Sequence, residues 1–284
     1  MSDSIPISRP ITSTNIPTEK LAGITYPTEK KATFPTEFID LPSEGYFYSL
    51  ESPLSSGRLE LKFMTAKEED ILTSQNLIKK GIVLDELLKA LIVNPTISLD
   101  DILVGDKNAI YIAARRLAYG DDYSVKIQCP ACKAEVDETI NLSHLKNKSF
   151  DFSSYKKGEN IFDFILPVSK KTVQYKLMTH KDEQNIDVEL KAIAKLSKTG
   201  VAPEITTRIK YMLISVDGNS DRSYIKKFVD TELLSRDSYA IRDHIRKNSP
   251  DIDLSFEFKC SSCGHTEVLP IQISANFFWP DAGT

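Results

Sequence analysis

Two stretches with the same pattern decide the fold of this chain: YSVKIQCPACKAEV at residues 123–136 and LSFEFKCSSCGHTEV at residues 254–268. In each, alternating apolar residues lead into a Cys-x-x-Cys pair, and a second alternating run suggests a returning strand, so both stretches predict β-hairpins. The pairs are Cys129 with Cys132 and Cys260 with Cys263, the only cysteines in the sequence. Two thiolates two residues apart in a hairpin turn can face one metal ion, the arrangement called a zinc knuckle.

The two pairs together have the composition of one metal site. One pair cannot complete a tetrahedral shell, whereas all four cysteines supply the ligands of a structural zinc ion, one Zn²⁺ per chain. Because 127 residues separate Cys132 from Cys260, against about 15–20 in a zinc ribbon, two halves of the chain would each have to bring one knuckle to a shared point. Four thiolates leave no coordination position for water, so the predicted metal, held in a split zinc ribbon, is structural rather than catalytic.

Other interpretations of the cysteines stay open at this stage. A thiol oxidoreductase is the lesser alternative, because its first cysteine would begin a helix, whereas strand-like residues follow both pairs here. A zinc-ribbon nucleic-acid-binding protein is the main alternative, and Lys126, Lys133 and Lys259 lie near the knuckles. The net charge of −4, from 36 basic and 40 acidic side chains, gives no global attraction to nucleic acid. His265 follows the second pair but is not needed as a ligand.

The sequence predicts neither an enzyme nor a membrane protein. It contains no Gly-x-x-x-x-Gly-Lys-Ser/Thr phosphate loop, Gly-x-Ser-x-Gly elbow or His-Glu-x-x-His helix, and no set of nucleophile, base and orienting group is visible. The acidic run at residues 68–70 is better explained as the start of a helix. No apolar run approaches the roughly 18–20 residues of a membrane-spanning helix, and the first residues lack the apolar segment of a secretory signal.

Around the hairpins the pattern predicts an α+β fold with a helical body. Thr65 and Glu68 form a capping box after an alternating strand, and a helix is expected to run from there to Gly81. Further helices are expected over residues 84–91 and from about residue 106 to Gly120. The order of elements then recurs, since Met178-Thr179 mirrors Met64-Thr65 before another helix. The sequence leaves an internal pseudo-repeat and a coincidence of pattern equally open.

We divide the chain into an extended Pro-rich N-terminal arm (residues 1–40), a first α+β half (41–150) with knuckle 129–132, and a second α+β half (151–284) with knuckle 260–263. The arm contains three related segments, IPTEK at 16–20, YPTEK at 26–30 and FPTEF at 34–38. Proline disfavours helix and sheet interior there. The segment is therefore either a disordered tail or an arm laid across a neighbouring subunit through its apolar anchors.

Three motifs carry a resemblance to a known family. LPSEGYFY at residues 41–48, KFMTAKEEDIL at 62–72 and RRLAYG at 115–120 resemble the baseplate hub proteins of T4-like contractile-tailed bacteriophages, and the resemblance extends best from residue 41 to about 146. FFWP at 277–280 fits more loosely. The resemblance implies a non-enzymatic structural or assembly component of the tail baseplate in the virion, assembled in the host cytoplasm. Its partners would be other baseplate and hub proteins. That the arm as well as the body surface binds them is our inference from the Pro-rich sequence, since the arm is not part of the resemblance.

Overall fold

The computed structural model describes residues 34–196 and 202–278, and its compact unit begins at Pro35. Within these residues the chain forms eight α-helices and nine β-strands, and the strands pair into four small antiparallel sheets. Three of the sheets are two-stranded ribbons, and the fourth has three strands. This mixture of helices and local antiparallel strands confirms the predicted α+β class.

The elements follow one another in a similar order in the two predicted halves. In the first they are β1 (Thr36–Asp40), β2 (Arg58–Lys62), α1 (Ala66–Thr73), α2 (Gln75–Lys80), α3 (Val83–Leu91), α4 (Val104–Tyr119), β3 (Asp122–Gln128) and β4 (Glu135–Asn141). In the second they are β5 (Phe162–Ile165), β6 (Thr172–Tyr175), α5 (His180–Leu196), α6 (Glu204–Met212), β7 (Leu213–Val216), α7 (Arg222–Thr231), α8 (Ser235–Lys247), β8 (Ser255–Lys259) and β9 (Thr266–Pro270). In each half a hairpin precedes the helices and a cysteine hairpin follows them.

The capping box predicted at Thr65 and Glu68 is present at the start of α1. The Thr65 N–H donates to Glu68 Oε2 (3.0 Å), and Lys62 Nζ donates to Glu68 Oε1 (2.8 Å). The same two contacts recur 114 residues later: the Thr179 N–H donates to Asp182 Oδ2 (3.0 Å), and Lys176 Nζ donates to Asp182 Oδ1 (2.8 Å). These matching contacts support a pseudo-repeat, which we carry forward as a proposal.

Both predicted halves contribute to one continuous apolar core. Leu87 of α3, Ile110 of α4, Tyr175 of β6 and Phe228 of α7 are all fully buried members of the same cluster. Because this cluster contains side chains of both halves, separating the halves would expose apolar surface at a cost of about 25 cal/mol per Å². The hydrophobic effect therefore holds the described body together as one unit.

Backbone hydrogen bonds join the halves at several places. Before α4, the Val104 N–H donates to the Met178 carbonyl (3.0 Å), and the His180 N–H donates to the carbonyl of Ile102 (2.8 Å). After β4, the Lys148 N–H donates to the carbonyl of Asp251 (2.8 Å). Each of these bonds connects a residue of the first half with a residue of the second half that lies far away in sequence.

Three expectations are corrected by the structure. The predicted arm extends to residue 40, but residues 36–40 form strand β1, which pairs with β2 along its full length. Residues 1–33 of the arm lie outside the described residues. The helix expected to continue to Gly81 is interrupted at Ser74, whose backbone is extended (ψ 103°). The adjacent basic residues Arg115 and Arg116 predict a solvated helix face, but Arg115 is 2% exposed, and its Nε donates to the carbonyl of Phe277 (3.1 Å).

Replacing Glu68 by glutamine should reduce the free energy of unfolding by about 2 kcal/mol at pH 7. Burial disfavours the Glu68 carboxylate, but hydrogen bonds from Lys62 and Thr65 outweigh it and lower its pKa from 4.5 to about 2. A group whose pKa is lower in the folded state stabilises the fold above its unfolded pKa, and this contribution is lost as the pH falls through the folded pKa. Urea unfolding should therefore show the difference shrinking as the pH falls from about 4.5 towards 2.

The control for this measurement is Asp70→Asn, a change of the same charge at an exposed position of α1. We expect it to change the free energy of unfolding by less than about 0.5 kcal/mol. A Glu68→Gln difference that stays constant down to pH 2 would show that the carboxylate charge contributes nothing to the fold.

Replacing Gly105 by alanine should destabilise the body by about 2 kcal/mol. In a helix alanine normally stabilises by about 1 kcal/mol relative to glycine, so the expected sign is reversed. The reason is that a Cβ on Gly105 would clash with the carbonyl oxygen of Pro250, where α4 meets the second half. Ala113→Gly in α4, measured by the same urea unfolding, calibrates the ordinary propensity effect. A Gly105→Ala variant as stable as the native chain would contradict this close approach.

Candidate metal centre

Each cysteine pair lies in the turn of a two-stranded ribbon. In the first ribbon β3 pairs with β4, the Cys129 N–H donates to the carbonyl of Ala134 (2.8 Å), and the Lys133 N–H donates back to the carbonyl of Cys129 (3.0 Å). The ribbon of β8 and β9 has the same two bonds 131 residues later, with distances of 2.8 Å and 2.9 Å. The two turns are therefore built alike, and each directs its first cysteine inward.

The residue after each second cysteine takes a left-handed backbone conformation. Gly264 has a φ of 74°, which costs glycine nothing, and the sequence pointed to this turn. Lys133 occupies the equivalent place with a φ of 63°, although a side chain disfavours it by about 1 kcal/mol. The close match of the two turns in spite of this cost indicates that the knuckle geometry dominates local preference.

The four sulfur atoms meet at one point. Cys129 Sγ lies 3.8 Å from Cys263 Sγ, Cys132 Sγ lies 3.7 Å from Cys260 Sγ, and all four sulfurs lie within 4.8 Å of one another. A regular tetrahedron with zinc–sulfur bonds of about 2.3 Å has edges of about 3.8 Å. The structure thus brings together all four cysteines singled out in the sequence, in an arrangement that fits a tetrahedral ion.

A small apolar cluster supports the sulfurs. Cys129 and Cys260 are fully buried against Val136 and Phe258, and this cluster is separate from the main core. The second cysteine of each pair is exposed. Each ribbon therefore contributes one buried and one exposed sulfur, and the packing that holds the sulfurs together is shared between the halves.

The pKa values of these thiols depend on nearby backbone N–H groups and on the neighbouring sulfur atoms. The backbone N–H of Cys263 stabilises the Cys260 thiolate, and the pKa of Cys260 falls to about 6. Although the N–H of His265 favours its thiolate, the neighbouring sulfurs of Cys132, Cys260 and Cys129 raise the pKa of Cys263 to about 12. Four thiolates this close repel one another, and a divalent cation supplies the charge that lets all of them ionise. The donor set therefore fits a structural zinc ion.

The residues around the knuckles do not form a basic stripe. Lys126 lies directly opposite Asp137 in the ribbon of β3 and β4, and His265 Nε2 faces Glu267 Oε2 at 3.2 Å. Cations and anions thus alternate there, which weighs against the nucleic-acid alternative. Both cysteine pairs lie in strand turns rather than at helix N-termini, which weighs against a redox dithiol.

The sequence analysis missed a buried ionic cluster between α4 and α5. Lys107 Nζ contacts the Glu183 carboxylate and lies 3.1 Å from His180 Nδ1, while His180 Nε2 lies 3.3 Å from Asp85 Oδ1. These residues line a cavity of about 400 Å³. Because Lys107 and His180 are 73 residues apart, no local spacing could have revealed the cluster. Lys107 is paired with Glu183 within it, as in a structural ion network.

Comparisons with known proteins point to one family. The family model described as T4 bacteriophage base plate protein matches residues 46–279, which is most of the chain. No curated protein and no solved structure matches this chain. Among the described residues, none of the helices has the length and apolar character needed to span a bilayer. The match includes both cysteine ribbons, most of the core and the motif segments at residues 62–72 and 115–120. This chain therefore belongs to the family of T4 bacteriophage base plate proteins.

Proposed function

We propose that this protein is a structural subunit of the hub of a phage tail baseplate, without enzymatic activity, and that its four cysteines hold one structural zinc ion. Membership in the base plate family supports a structural component of the phage tail. The observation that carries the zinc proposal is the meeting of four sulfurs at distances matching the edges of a zinc–thiolate tetrahedron.

The proposed zinc would link the two halves of the body. Cys129 and Cys132 would hold it from the first ribbon, and Cys260 and Cys263 from the second. Because this small core is separate from the main one, the apolar contacts there are few, and metal binding would contribute much of its folding free energy. With four thiolate ligands and no open position, the ion would supply cohesion rather than chemistry.

The hub assignment is supported by what the family-like motifs do in the fold. Asp106 of α4 is fully buried and accepts hydrogen bonds from the Ser43 N–H (2.9 Å), the Ser43 hydroxyl (2.6 Å) and the Tyr48 hydroxyl (2.6 Å). The motif at residues 41–48 is thus attached to the helix that precedes the first knuckle. A resemblance in residues that build the core implies the same body, and hence the same place in the baseplate.

Three further parts belong to the proposal. The N-terminal arm and the body surface would bind other baseplate and hub proteins, the subunit would be assembled into tails in the host cytoplasm, and the two halves would be copies of one ancestral unit. The matching capping contacts at Thr65 and Thr179, and the identical turns of the two ribbons, support the last of these.

Protein purified under reducing conditions without chelator should contain about one zinc ion per chain, measured by elemental analysis. Cys129→Ser should abolish zinc binding and reduce the free energy of unfolding by several kcal/mol, since it removes a ligand from a site formed by both halves. Ser261→Ala, a change inside the second knuckle that removes no sulfur, is the matched control and should keep the zinc. A zinc content near zero together with unchanged unfolding of Cys129→Ser would refute the structural site.

The place of the protein in the particle can be tested with a tagged virion. We expect an epitope tag after residue 278 to appear at the centre of the baseplate by electron microscopy, and we expect phage lacking the protein to make incomplete tails. Tags at the periphery would contradict a hub position but not a baseplate role. Complete tails without the protein would contradict both.

A further inference from the structure

The structure includes one of the three Pro-Thr-Glu segments of the sequence, and it shows how that segment is used. IPTEK at residues 16–20 and YPTEK at 26–30 lie outside the described residues, whereas Pro35-Thr36-Glu37 of the third copy opens β1. The segment occurs three times within 23 residues. Because similar sequences favour similar backbone conformations and contacts, we expect the three copies to bind in the same way. The described copy therefore indicates what the other two are built to do.

The third copy docks as a strand along β2. The carbonyl of Pro35 accepts a hydrogen bond from the Phe63 N–H (3.0 Å), Glu37 lies opposite Leu61, and the Thr36 hydroxyl donates to Glu60 Oε1 (2.6 Å). Proline has no N–H, which is tolerated at the first position of an edge strand. The Pro-Thr-Glu sequence is therefore suited to joining the edge of an existing sheet.

The docked strand leaves a free edge of its own. Within the described residues β1 has a strand neighbour only on the β2 side. Pro35 and Leu41 both bond towards β2 and its flank, so the alternation of an antiparallel pair also directs the amide groups of Glu37 and Ile39 there. The amide groups that face away from β2 are those of Thr36, Phe38 and Asp40.

This free edge has neither proline nor lysine at its outward positions, the residues that commonly block strand addition. In β9, by contrast, Pro270 takes an outward position. Phe38 of β1 is 55% exposed. Glu37 is also exposed. The edge thus offers free backbone groups, an apolar side chain and a negative charge.

The remaining copies of the segment complement this edge. Where the third copy has Phe38, they have Lys20 and Lys30. In an antiparallel register that places Lys30 opposite Glu37, the carbonyl of Pro27 faces the outward N–H of Asp40. The carbonyl of Pro35 likewise accepts a hydrogen bond from a backbone N–H beside β2. The same register therefore satisfies both the backbone hydrogen bonds and the pairing of Lys30 with Glu37.

We propose that Tyr26–Lys30 of a second copy of this chain adds to the free edge of β1 as an antiparallel strand, and that residues 16–20 can dock in the same way. This inference rests on the proposed role of the arm in binding neighbours. We assign the donor to a second molecule, because docking of Tyr26–Lys30 of the same chain would need a tight turn within Lys31–Pro35, which contains no Gly, Asn or Asp. Pro35 also favours an extended backbone for the residue before it.

The full-length chain should self-associate with increasing concentration in sedimentation equilibrium, and Phe38→Pro should weaken this about tenfold or more. The Phe38 amide points away from β2, so proline there blocks the free edge without removing a bond of the fold. Phe38→Val keeps the N–H and is the matched control, which should still associate. Thermal unfolding of both variants shows whether the body is intact.

A charge exchange tests the register independently, including the case in which Phe38→Pro does not fold. Glu37→Lys and Lys30→Glu should each weaken association about two- to fivefold, and the double variant should restore it. A synthetic peptide of residues 21–33 should compete with self-association of the full chain. The proposal is contradicted if the chain stays monomeric at about 100 μM or binds only a different baseplate protein. It is also contradicted if the chain associates but none of these variants changes the association.

Zinc content and the position of the tag are measured separately. A failure of the self-association proposal would therefore leave the proposed function unchanged.

Discussion

The four sulfur atoms at the end of the two ribbons place the strongest constraint on this structure. For Cys129 and Cys263 to lie 3.8 Å apart, two hairpins separated by 131 residues must end at the same point with their turns facing each other. That requirement sets the direction in which each half leaves the shared core. Local turn preference yields to it, since Lys133 adopts a left-handed backbone that only Gly264 adopts without cost.

The two halves are held together by different interactions in the shared core and at the sulfur cluster. Leu87 and Phe228 belong to one apolar cluster, so burial joins the halves over most of the body. The ribbons have a small apolar cluster of their own, and there the proposed ion with its four ligands would substitute for a larger core. Such a link would oppose separation of the halves at the end of the ribbons.

The free edge of β1 is the part of the fold that we propose to take part in assembly. β1 is built from the last copy of a segment that occurs twice more upstream, and we propose those two copies as the ligands of the β1 edge in a second molecule. A backbone edge recognises any extended chain, and the side chains around it select the partner. In the proposed complex, the acidic Glu37 on the edge of β1 would attract the lysines of the upstream segments, Lys20 and Lys30. This charge complementarity would favour binding of the chain's own arm over binding of other extended segments.

The sequence by itself determined the local elements and the ligand types. Alternating residues predicted β2, β3 and β8, the Thr65 and Glu68 spacing predicted the start of α1, and the two Cys-x-x-Cys pairs identified all four candidate ligands, because strand period, capping and hairpin turns depend on neighbours in sequence. The tertiary structure alone decided what depends on distant residues. It placed Arg115 inside the body, assembled the ion cluster around His180, made residues 36–40 a strand, and brought the two cysteine pairs within bonding distance of one ion. None of these has a local signal, since each arises when the packing of one apolar core selects which distant surfaces meet.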